Sequence, residues 1–166
     1  GCTGWVLATG DGKVLRFGKI DAVEFIAAEH YWSEHIDLIE EMYSKYGEDL
    51  IVVLEDYVLY YEKAIVQSYS KMETSKLIGA VQVYCYNTSI HLILQRAVEI
   101  KARWSTEVLL KRNLLKGLGV NKGYALPVRD GFKKINRHIL DAYRHMLHFV
   151  TFKNNNSKDF KLKTVE

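Results

Sequence analysis

Three residues of this chain have the types and spacing to work as one chemical site. Glu55 follows the apolar run Leu50–Leu54 (Leu-Ile-Val-Val-Leu), and His138 and Asp141 stand three positions apart in a stretch of helical pattern. Residues at i and i+3 share a helix face. An acid at the end of an apolar strand is costly to desolvate unless it meets something positive. Taken alone, Glu55 reads as an ordinary strand-end surface residue, and His-x-x-Asp is common by chance. The flanks of that pair sharpen it: Ile135, Leu140, Met146 and Leu147 are natural core residues, so His138 and Asp141 fall on or beside an apolar face, where an unpaired Asp is disfavoured. Two carboxylates from remote segments with an imidazole form a donor set for hard cations such as Mg²⁺. Two such ions, about 3.5–4 Å apart, activate a water and stabilise the leaving oxygen in phosphodiester cleavage.

These residues need elements to carry them. Gly4–Ala8 and Val14–Ile20 flank Thr9-Gly10-Asp11-Gly12, a strong hairpin signal around an Asp-Gly step. Between Glu29 and Tyr46, Trp32, Ile36, Ile39 and Tyr43 recur at helical spacing opposite a row of acids, and Gly47 ends the helix. Leu50–Leu54 reads as a strand buried on both faces, and the tyrosine-rich stretch from Asp56 to Lys71 is irregular. A helix from Thr74 to about Asn87 shows Leu77, Ile78, Val81 and Tyr84 or Cys85 on one face, and Ser89–Leu94 reads as a strand. Ser105 caps a helix running to Lys116, Gly117–Leu126 reads as a loop, and a last helix is expected from Asp130 to Val150. Ala142, small and next to Asp141, would let that helix lie close to a sheet. The order hairpin, helix, strand, helix, strand, helix, helix predicts an α/β fold, a mixed sheet flanked by helices.

At 166 residues the expectation is one domain over 1–152 and a disordered polar tail over 153–166. No apolar run reaches the roughly 20 residues that span a bilayer, and no signal peptide is visible. Cys2 and Cys85 lack the number and spacing for disulfides or a metal site and read as inert thiols in a cytoplasmic protein. The net charge of +3 conceals an asymmetry. Asp21–Glu62 holds twelve acids and one Lys, a net −11, while Lys101–Lys134 holds nine basic residues and two acids, a net +7. The basic region is the candidate polyanion surface, although ordinary solvated charge explains such runs equally well. Arg96, Lys101, Arg103, Lys111, Arg112, Lys133 and Lys134 form the pool of phosphate contacts.

A family resemblance joins these signals. Gly1-Cys2-Thr3-Gly4-Trp5-Val6-Leu7 resembles the continuation of the Asp-Pro-Gly-x-Thr-Gly-aromatic opening of RuvC-like Holliday junction resolvases. Ile51-Val52-Val53-Leu54-Glu55 is similar to their second acidic strand, and Asn136-Arg137-His138-Ile139-Leu140-Asp141-Ala142 to their closing helix, most of all in phage-type members. The resemblance implies a ribonuclease-H-like fold, a homodimer, and nicking of branched DNA at four-way junctions with Mg²⁺ or Mn²⁺, two ions per site. It assigns Glu55, His138 and Asp141 to the family's second, third and fourth active-site positions; the third is Asp in some members and His in others. Some members carry an aromatic wedge after the second acid. Tyr57, Tyr60 and Tyr61 surround that place, with Val58 at the third residue past Glu55, and Tyr60 and Tyr61 are the candidates to stack on an opened base.

The family's first catalytic Asp lies two residues ahead of the position of Gly1, so a truncated copy lacking its first strand is expected. Asp11, in a hairpin turn, does not replace it. Two other classes compete. A catalytically inactive nucleic-acid-binding module could keep the same fold. Actin-like sugar kinases open with a similar glycine-containing hairpin, but need a second phosphate-binding loop and a chain about twice as long.

Overall fold

The computed structural model describes residues 1–56, 73–152 and 158–159. Their backbone separates into two compact units, Gly1–Asp21 with Ala97–Asn155 and Ala22–Arg96 with Asn156–Glu166. Among the described residues no helix is long and apolar enough to cross a membrane.

The first unit opens with the expected hairpin. β1 (Cys2–Ala8) pairs antiparallel with β2 (Val14–Asp21), from Cys2↔Asp21 to Ala8↔Val14. Its turn is closed by bonds from Thr9 N–H to the Lys13 carbonyl (3.0 Å) and from Gly12 N–H to the Thr9 carbonyl (2.8 Å). Gly12 takes a φ of +88°, which a side chain would oppose. In chain order α3 (Ala97–Arg103) and α4 (Thr106–Lys111) come next within this unit, then a three-stranded antiparallel sheet ordered β5 (Lys116–Gly117), β6 (Tyr124–Val128) and β7 (Gly131–Ile135), and finally α5 (Arg137–Phe152). Residues from all of these except β5 meet in one core, with Val14, Ile100, Leu109, Leu126, Ile135 and Tyr143 among its members.

Two expectations fail here. The last helix begins at Arg137, not at Asp130, because Arg129-Asp130 is a hairpin turn followed by Gly131 at φ +113°. That turn makes β6 and β7 out of a segment read as loop and helix. The Ser105 helix ends at Lys111, not Lys116: Ser105 Oγ does accept from Val108 N–H (3.3 Å), but Asn113 at φ +55° breaks the turn.

The second unit contains α1 (Ala28–Tyr46), β3 (Ile51–Asp56), α2 (Glu73–Asn87), β4 (His91–Arg96) and β8 (Lys158–Asp159). β3 and β4 are parallel, in register from Ile51↔His91 to Asp56↔Arg96, and α2 lies in the connection that such a pair requires. Of the α2 stripe, Leu77, Val81 and Cys85 are buried, whereas Ile78 and Tyr84 are half-buried; burial pushes the Cys85 thiol up to about 11, fitting an inert group. In α1 the buried line is Tyr31, His35 and Met42, adjacent to the apolar stripe read from sequence. β3 is not buried on both faces. Among the described residues it pairs only with β4, and its side chains are half-buried or exposed. Within the tail read as disordered, β8 pairs with β4 through Leu94↔Lys158 and Ile93↔Asp159.

Candidate active site

The sequence that carries His138 and Asp141 is fixed in three ways. Asn136 caps α5: its Oδ1 accepts from Ile139 N–H (2.9 Å) and its carbonyl accepts from Leu140 N–H (3.1 Å). Burial of Ile139, Leu140, Tyr143, Met146 and Leu147 then sets the rotation of the helix, leaving His138 and Asp141 half-buried on its flank. Gly4 sets its depth. A Cβ added to Gly4 would overlap the carbonyl of His138 and the nitrogen of Ile139, so β1 and the first turn of α5 touch backbone to backbone. Ala142 was the small residue expected to permit this approach; Gly4, on the strand, is the one in contact.

Asp141 is engaged on both oxygens. Oδ1 accepts from the Arg144 guanidinium at 2.8 Å, and Oδ2 is 3.2 Å from Lys101 Nζ. Arg144 also donates to the Trp104 carbonyl (2.9 Å) and to the Thr106 hydroxyl (2.9 Å). Its side chain is 13% exposed, against 27% for Asp141 and 43% for Lys101. The guanidinium therefore ties α5 to the α3–α4 junction and presents Asp141 in one orientation. Close by in sequence, Tyr143 is packed into the core, and burial pushes its phenol up to about 12. The His138 ring meets Arg137, whose Nε lies 3.4 Å from its Nε2.

Glu55 belongs to the second unit. It is the penultimate residue of β3, inside the strand and not past it, opposite Gln95, and its side chain is exposed. Asp11 sits in the hairpin turn beyond Ala8, where the Thr9 hydroxyl bonds its carboxylate and holds it below its ordinary value. The donor types of Glu55, Asp141 and His138 suit a hard divalent cation. Among the described residues, however, no group of three or more His, Cys, Asp or Glu is placed to hold a metal ion.

The basic pool divides. Lys101 is paired with Asp141, and Lys111 with Glu107 at 2.8 Å. Arg103 and Arg112 lie over the rings of Phe152 (4.5 Å) and Trp104 (5.4 Å). Arg96 is exposed at the end of β4, and Lys133 and Lys134 are exposed on β7, a strand rather than the expected helix. Tyr57, Tyr60, Tyr61 and Tyr69 lie outside the described residues. Sequence reasoning missed Arg144, although its i+3 spacing from Asp141 was there to be read.

The elements make a mixed α/β fold. The chain is similar in structure to RuvC of Thermus thermophilus in complex with a Holliday junction substrate, with a TM-score of 0.57, 12% identity, and coverage of 88% of this chain and 83% of that one. A second Thermus thermophilus RuvC structure gives a TM-score of 0.55 at 15% identity, covering 88% and 82%. No protein-family model and no curated protein sequence matches the chain.

Proposed function

We propose that this protein is a structure-selective DNA endonuclease of the RuvC type, acting as a homodimer on four-way or related branched DNA with Mg²⁺ or Mn²⁺. The observation carrying this reading is a fold shared with RuvC over 88% of the chain, with Asp141 and His138 held on the first turns of α5 against β1. Glu55, Asp141 and His138 would hold the metal, which when bound activates a water and stabilises the leaving oxygen. Arg144 keeps Asp141 oriented through Oδ1, and the more exposed Lys101 can release Oδ2. His138 binds or positions water beside it.

Cleavage of a four-way junction by purified protein tests the reading. Glu55→Gln and Asp141→Asn should each abolish cutting while leaving junction binding intact or slightly tighter, since an anion facing phosphate is removed. Normal cutting rates in both variants would sink the proposed site. One observation favours a second reading, a non-catalytic DNA-binding module of the same fold: both oxygens of Asp141 face cations in the protein's own structure. Salt-sensitive junction binding with no cutting in either metal would select that alternative.

A further inference from the structure

We infer that the outer face of the β5–β6–β7 sheet is a platform for an unpaired DNA strand, with Phe132 as the base-stacking residue. The inference rests on the nucleic-acid reading above and adds to it a specific element and a specific mode of contact.

The register fixes which side chains share that face. Directly opposed residues in an antiparallel sheet lie on the same side, and the side alternates along each strand. Lys116 opposes Ala125, Ala125 opposes Lys134, and two residues on Pro127 opposes Phe132. All five therefore share one face, which is covered at Ala125, half-buried at Pro127 and open at Lys116, Phe132 and Lys134. The alternate residues Leu126 and Ile135 point the other way, into the core. An apolar aromatic is thus displayed where the sheet has already satisfied its core: Phe132 is 51% exposed. Lys116 Nζ stands 4.8 Å from the centre of its ring, a cation–π contact. Lys134, two residues along the same strand, is exposed.

The charge chooses the partner. The segment from Lys116 to Ile135 holds five basic residues and one acid, a net +4. A half-exposed ring among cations fits a polyanion that also offers flat apolar surfaces, and an unpaired nucleic-acid strand has both phosphates and open base faces. Paired bases inside a duplex are already stacked and cannot cover the ring. Phe132 was absent from the residues singled out in the sequence, because this segment there reads as loop and helix.

Binding of labelled oligo-thymidine and of a four-way junction, followed by fluorescence anisotropy across a salt series, tests the inference. Phe132→Ala should weaken oligo-thymidine binding roughly 5- to 150-fold with its salt slope unchanged, and Phe132→Tyr should restore it. Lys116→Gln and Lys134→Gln should each lower the slope on the single strand by about 0.7. Melting temperatures should match the wild type, and these milder variants remain informative if Phe132→Ala unfolds. Wild-type affinity in Phe132→Ala would overturn the inference while salt-dependent junction binding left the nuclease reading standing. Equal loss of affinity for polyglutamate would overturn it in favour of an acidic protein partner. Wild-type protein with no salt-dependent binding to either DNA would overturn both readings.

Discussion

The two units hold their candidate acids in opposite ways. In the first, Asp141 sits on a helix seated directly on strand backbone, with Arg144 bonded to it and to two further groups. In the second, Glu55 stands exposed on β3, which pairs on one side only among the described residues. One acid is part of the architecture; the other is carried at its edge. The lesson is that loss of activity means different things at the two positions. A change at Asp141 disturbs the contacts of a half-buried helix flank as well as chemistry, whereas a change at Glu55 falls on an exposed strand side chain.

Glycine substitutions give the largest effect with which to break this contrast. Gly4→Val puts atoms where the His138 and Ile139 backbone already lies, and backbone cannot rotate aside as a side chain can. The expected cost is roughly 3 kcal/mol or more, or a fall in melting temperature of about 6–12 °C for a chain this size. Gly79 in α2 has nothing beyond its own helix backbone and chain neighbours within 4 Å of an added Cβ. There Gly79→Ala should stabilise by roughly 0.5–1 kcal/mol, by removing the helix penalty of glycine. Thermal melts decide it. A Gly4→Val variant as stable as the wild type would mean that the tight seam between β1 and α5 is absent in solution.

A smaller effect sharpens the account of Asp141. Arg144→Ala leaves the Trp104 carbonyl and Thr106 hydroxyl without their donor and takes one cation from Asp141, so roughly 2–3 kcal/mol should be lost. Lys101→Ala removes only the more exposed partner and should cost under about 1 kcal/mol. Equal losses in urea unfolding would show that Arg144 does not fix the carboxylate.

Legibility from sequence followed the range of the interactions. The opening hairpin, β3, α2 and β4 were readable because each is signalled within a few residues: Asp11-Gly12, an apolar β-branched run, a period of 3.6. The same Asp-Gly signal recurs at Asp130-Gly131. It lies at the start of the segment read as the last helix, and so β6 and β7 are absent from the sequence reading. His138 and Asp141 were legible as a pair, since i and i+3 is a local relation. What holds Asp141 was not, because Arg144 reaches Trp104 and Thr106, 40 and 38 residues away in sequence. Gly4 shows the same limit: nothing near it in the chain says that a helix starting more than a hundred residues later rests on it.

The smallest predicted effect lies in the second unit and concerns pH. The α1 stripe read from sequence omits its own buried line, which contains His35. His35 Nδ1 donates to the Tyr31 carbonyl at 2.6 Å, its ring meets the Tyr31 ring edge-on at 4.6 Å, and its buried Nε2 has no hydrogen-bond partner among the described residues. Protonation would place a charge on that enclosed atom, so burial holds the pKa below its ordinary value, with the Tyr31 carbonyl and then Glu34 opposing it. The native state then binds fewer protons than the unfolded chain. Stability must fall as the pH drops below about 6.5, where the unfolded histidine begins to charge, and level off once the folded pKa is passed. His148 in the first unit is depressed by burial as well, followed by Arg103, and adds a slope of the same sign. Replacing His35 by Met keeps an apolar group of similar reach without a titrating nitrogen. Melting temperatures from about pH 7.5 to about pH 5 should therefore decline less steeply in His35→Met than in the wild type, and the remaining slope should flatten further in His148→Met. An unchanged slope in His35→Met would remove His35 as an acid-sensitive point of the second unit.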